Sequence, residues 1–277
     1  MRSAFTLIEL LVVITIIVVL LAMLTPALDK AIYQAQLTVC GTQCREIASG
    51  VTMYASDNRR HYPDRGIVSS GQAYASDQAA EIKYTPVVTQ RVDQRPILKK
   101  ALPALSAQLN DPLAGRIDVE DAGSLIVFAP YNLWWDFKYA NGRAMTKLGD
   151  RWSVGKDEFE VLVGDRDLVR PAPGNGASGP EAQSSHADDV YERGVLHAVV
   201  LQNQQAPWLI TTGENTTLAM WYSGENTTAQ RGMVDDNFGM SDLSVLRFNR
   251  VVWNSDPRLR KAPTFAGTGG YEYHYVP

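Results

Sequence analysis

The chain has 277 residues, with 26 Lys and Arg against 30 Asp and Glu, and the formal net charge of −4 argues against a nucleic-acid partner. Apolar residues at 45% and aromatics at 9% are enough for a packed core and too many for a disordered chain. The two cysteines, Cys40 and Cys44, are too few to staple a fold of this length, or by themselves to build a structural zinc site.

The mean hydropathy is slightly negative, but the chain begins with a very uneven segment. Residues 5–24 read FTLIELLVVITIIVVLLAML, an apolar run interrupted only by Thr6, Glu9 and Thr15. A helix of that length covers about 30 Å, the hydrocarbon thickness of a bilayer. Arg2 and the start amine are the nearest positive charges, so the short N-terminal end is expected in the cytoplasm and the chain from Asp29 onward outside the inner membrane. The small residues Thr25, Pro26 and Ala27 would also suit secretory cleavage after Ala27. Glu9 argues for something else, because a carboxylate within an apolar span is costly and such residues usually have a partner. A cut between Ala4 and Phe5 would create an α-amine four residues before Glu9. In a bundle of staggered copies that amine can pair with the Glu9 of a neighbour, compensating both charges and fixing the axial register.

The string AFTLIELLVVI, behind a basic leader and ahead of Pro26, resembles the N-terminal motif of type IV prepilins and type II secretion pseudopilins. The resemblance implies that Ala4/Phe5 is the processing junction, with Ala4 where the family usually has Gly. It further implies that Phe5 is N-methylated after cleavage and that Glu9 is needed for assembly. The partners it implies are a prepilin peptidase, other pilin-like subunits and an assembly platform, with the inner membrane as the site of insertion. The fold it implies is α+β and pilin-like, a long N-terminal helix packed on an antiparallel sheet.

After Pro26, Leu37, Cys40, Cys44, Ile47, Val51 and Tyr54 recur at alternating spacings of three and four, the narrow apolar stripe of a helix lying on a packed surface. Pro26 removes one backbone donor and is expected to kink or locally melt the rod. Asp57, Asn58, the charges after them and Pro63 should end it. Cys40 and Cys44 are one turn apart with Cβ vectors poorly suited to a disulfide, so two buried thiols are expected. The segment CGTQCREIASGVTMYASDNRRHYPD also resembles the helix end of large pseudopilin-like proteins.

Residues 66–123 are polar and irregular, with a short helix expected over Pro96 to Leu102 because proline suits a first helical turn. Short β-branched runs follow at Ser124–Ala129, Phe159–Val163, Val195–Leu201, Trp208–Thr212, Thr217–Tyr222 and Leu243–Trp253, the pattern of an antiparallel sheet. The Pro, Gly and Ala-rich stretch 170–190 reads as a mobile surface loop. The pentapeptide GENTT occurs at Gly213–Thr217 and again at Gly224–Thr228, two similar turns flanking LAMWYS. The resulting division is a leader at 1–4, a transmembrane and polymerisation helix at 5–28, an amphipathic half-helix at 29–57, and a globular α+β head at 58–277.

The four histidines are far apart, and no HExxH, GxSxG or P-loop is present, so no enzyme is expected. Asp235, Asp236, Asn237 and Asp242, around Gly239 and Ser241, form a dense run of oxygen side chains. A solvated acidic turn and a calcium loop are both open, since hard oxygens around a Gly-permitted turn suit calcium; resemblance to major pseudopilins implies the latter. Tyr131, Trp134, Trp135, Phe137 and Tyr139, and the alternating Tyr271, Tyr273 and Tyr275, could form sugar-stacking or docking platforms or simply core. The resulting expectation is a structural pilin-like subunit of a type II secretion or type IV pilus-like filament, minor or accessory because its head is large. The alternative is an envelope domain, carbohydrate-binding or enzymatic, that keeps a pilin-like anchor.

Overall fold

A computed structural model describes residues 6–65, 81–84, 93–109, 111–112, 126–129, 131–136, 142–143, 145–154, 156–165, 167–170, 181–184, 197–200, 218–223, 234–251, 256–264 and 272–277. The dominant element is helix α1, Leu7–Asp57, 51 residues that at the usual rise extend about 75 Å. It is uninterrupted through Pro26, contrary to the expected melt: one missing donor is a local loss in a helix whose neighbouring turns keep theirs. Up to Ile32 the helix is exposed on every side, as a rod that leaves the rest of its chain must be.

From Tyr33 onward α1 acquires a buried face. Leu37, Cys40, Cys44, Ile47 and Val51 are fully buried, and Ala48 and Ala55 join them, so the stripe read from the spacing is the packed one; Tyr54 is half-buried at its edge. The helix ends at Asn58, whose N–H reaches the carbonyls of Tyr54 and Ala55 and whose Nδ2 donates to Tyr54 O at 2.7 Å. Arg59 and Arg60 then take positive φ values of 55° and 68°, turning the chain back toward the head.

Two short helices, α2 (Arg95–Ala101) and α3 (Leu105–Gln108), pack against the last turns of α1; α2 has Pro96 in its first turn, as expected. Gly50 makes the approach possible. A Cβ there would lie 2.7 Å from the carbonyl oxygen of Ala101 and 2.8 Å from Leu102 Cδ2.

The pairings between the described strands are antiparallel; outside the strands, the isolated bridge Trp135↔Met145 is parallel. Along the chain the strands are β1 (Glu81–Tyr84), β2 (Ile126–Phe128), β3 (Tyr131–Leu133), β4 (Gly142–Arg143), β5 (Trp152–Val154), β6 (Asp157–Phe159), β7 (Val161–Asp165) and β8 (Asp167–Arg170). They continue with β9 (Glu181–Ser184), β10 (His197–Val200), β11 (Leu218–Ser223), β12 (Val234–Met240), β13 (Val245–Val251), β14 (Arg260–Thr264) and β15 (Glu272–Val276). The sheet orders are β13-β12-β7-β3, β10-β11-β9-β8-β15-β14, β4-β5-β6 and the pair β1-β2. The fold is therefore α+β with a pilin-like layout, a long N-terminal helix followed by antiparallel sheet.

Helix α1 lies on the four-stranded sheet, chiefly on β12, with β7 and β13 beside it. Gly239 sets the spacing, since a Cβ on it would sit 2.7 Å from the carbonyl oxygen of Cys44. A second part of the core stacks Trp152 between Trp134 and Phe159, at centroid distances of 5.1 and 4.0 Å, and Trp152 Nε1 donates to Val161 O at 3.0 Å.

Two expectations are corrected. Stretch 170–190 is not one loop: β8 ends at Arg170 and β9 occupies Glu181–Ser184, paired to β8 from Asp167↔Ser184 to Arg170↔Glu181, because backbone pairing needs no large apolar side chains. Asp235, Asp236 and Asn237 form no acidic turn but the middle of β12, an interior strand between β7 and β13. Trp208–Thr212 and both GENTT turns lie outside the described residues, whereas LAMWYS between those turns is β11.

Candidate functional site

The first described residues build a compact polar site on an otherwise apolar rod. Thr6 is the N-cap of α1, in extended backbone conformation, and Glu9 is the third residue of the helix. The Thr6 hydroxyl accepts from Glu9 N at 3.3 Å, while Glu9 Oε2 accepts from Thr6 N at 2.8 Å and from the Thr6 hydroxyl at 2.7 Å. This is a capping box, in which two backbone donors orphaned by the helix start are satisfied by side chains. All of these bonds to the carboxylate fall on Oε2. Among the described residues Oε1 has no hydrogen-bond partner, so Glu9 can cap its own helix and still accept a cation. Around it, Ile8, Val12 and Val13 wall a shallow apolar depression.

Helix α1 is the one described helix long and apolar enough to cross a membrane, and its most hydropathic window is 0% buried within the protein. The hydroxyls along it are internally satisfied: Thr15 donates to Val12 O at 2.8 Å and Thr25 to Leu21 O at 2.9 Å. A rod that exposes aliphatic side chains all round and hides its hydroxyls suits lipid. Glu9 is the one acidic residue between Phe5 and Leu28.

The N-terminal segment, residues 1–25, matches the family model described as the prokaryotic N-terminal methylation motif. The chain is prepilin-like at its N terminus. No curated protein and no solved structure shows a significant match to it. In a prepilin-like chain the motif implies processing by a prepilin peptidase, assembly with pilin-like subunits and anchoring in the membrane. Ala4 and Phe5, where processing is expected, lie within the match but outside the described residues.

The other candidate residues go elsewhere. Tyr33 donates its hydroxyl to Asp235 Oδ2 at 2.8 Å. Asn237 donates through both N and Nδ2 to Asp165 Oδ2, at 2.6 and 3.0 Å. Asp242, exposed in the β12–β13 turn, accepts from Ser244 N and Oγ at 2.9 and 2.6 Å, and those bonds hold its carboxyl below the usual range. Asp235, Asp236 and Asn237 are buried while Asp242 is exposed, so the four do not form the single Gly-permitted oxygen loop that their sequence spacing suggested. Among the described residues no group of three or more His, Cys, Asp or Glu is placed to hold a metal ion.

Tyr131, Trp134 and Trp135 are core residues, which removes them from any sugar platform. Tyr273 and Tyr275 lie in β15 opposite Pro263 and Lys261; Phe137, Tyr139 and Tyr271 are outside the described residues. Both cysteines are buried thiols outside any disulfide. Cys40 Sγ is 3.1 Å from Asp111 Oδ1, and Cys44 Sγ is 3.7 Å from Asn237 O.

Sequence reasoning missed the polar seam under α1. Asp165 ends the apolar strand VLVGD and is almost fully buried; Tyr131 donates its hydroxyl to Gln43 Oε1 at 2.7 Å, and burial pushes the Tyr131 hydroxyl well above its ordinary pKa. The only signal was that a buried helix face carrying Tyr, Gln and Cys needs polar partners from the sheet.

Proposed function

We propose that the chain is a structural, non-enzymatic subunit, minor or accessory, of a type II secretion or type IV pilus-like filament. It is inserted in the inner membrane with its N terminus cytoplasmic and its head outside, cut between Ala4 and Phe5, and drawn into the filament through its first helix. The assembly platform and other pilin-like subunits are its partners, and no cofactor enters this role. The observation that carries the reading is a single carboxylate on a lipid-suited rod, capped on Oε2 by its own Thr6 and open on Oε1 to an ammonium from another copy. The Phe5 α-amine is that ammonium. Pairing the two removes an uncompensated charge from lipid and sets the stagger between helices.

Mass spectrometry of the N terminus from native membranes tests the processing: a chain beginning at methylated Phe5 is expected, and one beginning at Met1 or Leu28 overturns it. Glu9→Ala and Glu9→Gln test the pairing. Both variants should insert normally, and assembly should fall by about tenfold or more, since a charge-assisted bond in a low-dielectric setting is lost. Glu9→Gln can still cap Thr6 N, so normal assembly by that variant would show that capping, not charge, is what matters.

A further inference from the structure

Where α1 ends, far from its exposed span, the chain gathers basic side chains. Arg59, Arg60 and His61 follow the helix directly, and His61 forms an isolated antiparallel bridge with Lys147. Residues opposed in such a bridge hold their side chains on one face, with Cβ atoms about 5 Å apart. All four side chains are exposed. Arg60 is tied in, donating through Nη2 to Leu148 O at 2.8 Å. Among the described residues the side chains of Arg59, His61 and Lys147 make no hydrogen bond, and none of the four pairs with a carboxylate. The nearby carboxylates are committed elsewhere: Asp57 lines the cleft between α1 and the α2–α3 block, Asp64 is hydrogen-bonded to Asp136, and Asp150 accepts from Thr146 N, Thr146 Oγ1 and Lys147 N in its own turn.

The fold itself gains little from this corner. Arg59 and Arg60 take φ values of 55° and 68°, the left-handed region in which Gly or Asn is the ordinary occupant just after a helix. Arg60 recovers part of that cost through its bond to Leu148 O, whereas Arg59 has no such bond among the described residues. The helix dipole does not account for it either. A cation gains most from the dipole inside the last turn, and that turn of α1 has no basic residue and ends on Asp57. Backbone strain that no contact within the chain offsets marks a residue kept for something outside it.

The chemistry that fits is an oxyanion, because a guanidinium presents paired donors matching a carboxylate or sulfate and a lysine adds a point charge. The bilayer that holds the span is too far away to supply it. From Ile32, where the all-round exposed rod ends, to Asp57 the helix rises about 38 Å, several times the screening length of about 8–10 Å. Duplex DNA fits poorly, since it carries one charge per about 1.7 Å and the chain outside this corner is more acidic than its net −4. A polymer whose anions are spaced sugar by sugar can meet the corner without crowding charge onto the acidic surface around it. We infer that this corner binds an acidic polysaccharide through carboxylate or sulfate groups, with Arg59 and Lys147 as its chief contacts. The filament reading rests on the opposite end of α1, and neither depends on the other.

The test uses the full chain in a non-ionic detergent, with polygalacturonate and dextran sulfate as probes and neutral dextran, a short DNA duplex and phosphatidylglycerol vesicles beside them. At least one acidic polysaccharide should bind and dextran should not. Binding should disappear as salt rises from about 50 to about 500 mM, since the contacts are exposed charges. Arg59→Gly combined with Lys147→Gln should weaken it about tenfold or more, while Lys156→Gln in the β5–β6 turn should leave it within about twofold. Arg59→Gly alone should weaken it about threefold, with a melting midpoint equal to or above that of the wild type, because Gly relieves the left-handed backbone. Binding of neither acidic polysaccharide, whatever the duplex or the vesicles do, overturns the inference, as does binding unchanged in the double variant. A lower midpoint for Arg59→Gly also overturns it, since Arg59 would then serve the end of the helix.

Discussion

Asp136 occupies a position that exposes the cost of a charge in the head. It follows the buried Trp135 with a φ of 48°, and its Oδ2 accepts from the backbone N–H of Arg65 at 2.8 Å. Arg65 is fully buried, donating to Gln94 Oε1 and Leu133 O, with its guanidinium 5.8 Å from the Trp135 ring centre. Burial, followed by the nearby Asp64 carboxyl, pushes Asp136 up to about 6 against the opposing bond from Arg65. The folded chain thus binds a proton here that the unfolded chain releases at lower pH, so stability rises as pH falls from above 6 toward 4. Asp136→Asn keeps an acceptor for Arg65 N, offers Asp64 a permanent donor, and tolerates positive φ. The variant should gain about 1 kcal/mol at pH 7.5 after allowance for solvent screening, and lose the rise in stability between pH 7 and 5. Denaturant midpoints at the two pH values check both; a variant weaker than wild type at pH 7.5 would contradict the account.

At the scale of elements, the contact between α1 and β12 depends on Gly239. A Cβ there meets backbone on one side and Val163 Cγ1 on the other, each at 2.7 Å, and the backbone of a helix cannot yield as a side chain can. Gly239→Ala should therefore destabilise the head by about 1–3 kcal/mol, the usual cost of overpacking, despite alanine's better fit to a strand. A thermal melt shows it, and a midpoint equal to wild type would mean that the helix sits farther from the sheet than described. The same pair of elements shows how far the sequence can be read. The stripe on α1 was legible because its spacing is local. The residues VDDNFGM of β12 were not, because their polar side chains are buried against partners 72 to 202 residues away: Tyr33 for Asp235, Asp165 and Leu37 O for Asn237. A strand whose polar groups are satisfied only in three dimensions looks, in one dimension, like a turn. Glu9 was legible in the sequence, but its pairing with Thr6 and the use of Oε2 alone depend on the geometry of the cap.

For the whole molecule, the question is where the membrane rod stops contributing to the fold. No residue of α1 before Tyr33 is buried among the described residues, while Tyr33, Leu37, Cys40 and Cys44 form the first layer against the sheet. A chain beginning at Asp29 keeps that layer and should be a soluble head with a melting midpoint within a few degrees of the full chain in detergent. A chain beginning at Arg45 loses four buried side chains at about 2 kcal/mol each, comparable with the entire net stability of an ordinary domain. It also removes the helix groups that Asp235, Asp111 and Asn237 meet, and the loss of those buried hydrogen bonds adds to the cost. That shorter chain should show no cooperative melt. If it melted normally, the stalk would be a tether and not part of the core; cooperative unfolding from Asp29 but not from Arg45 locates the junction between rod and head within about five turns of α1.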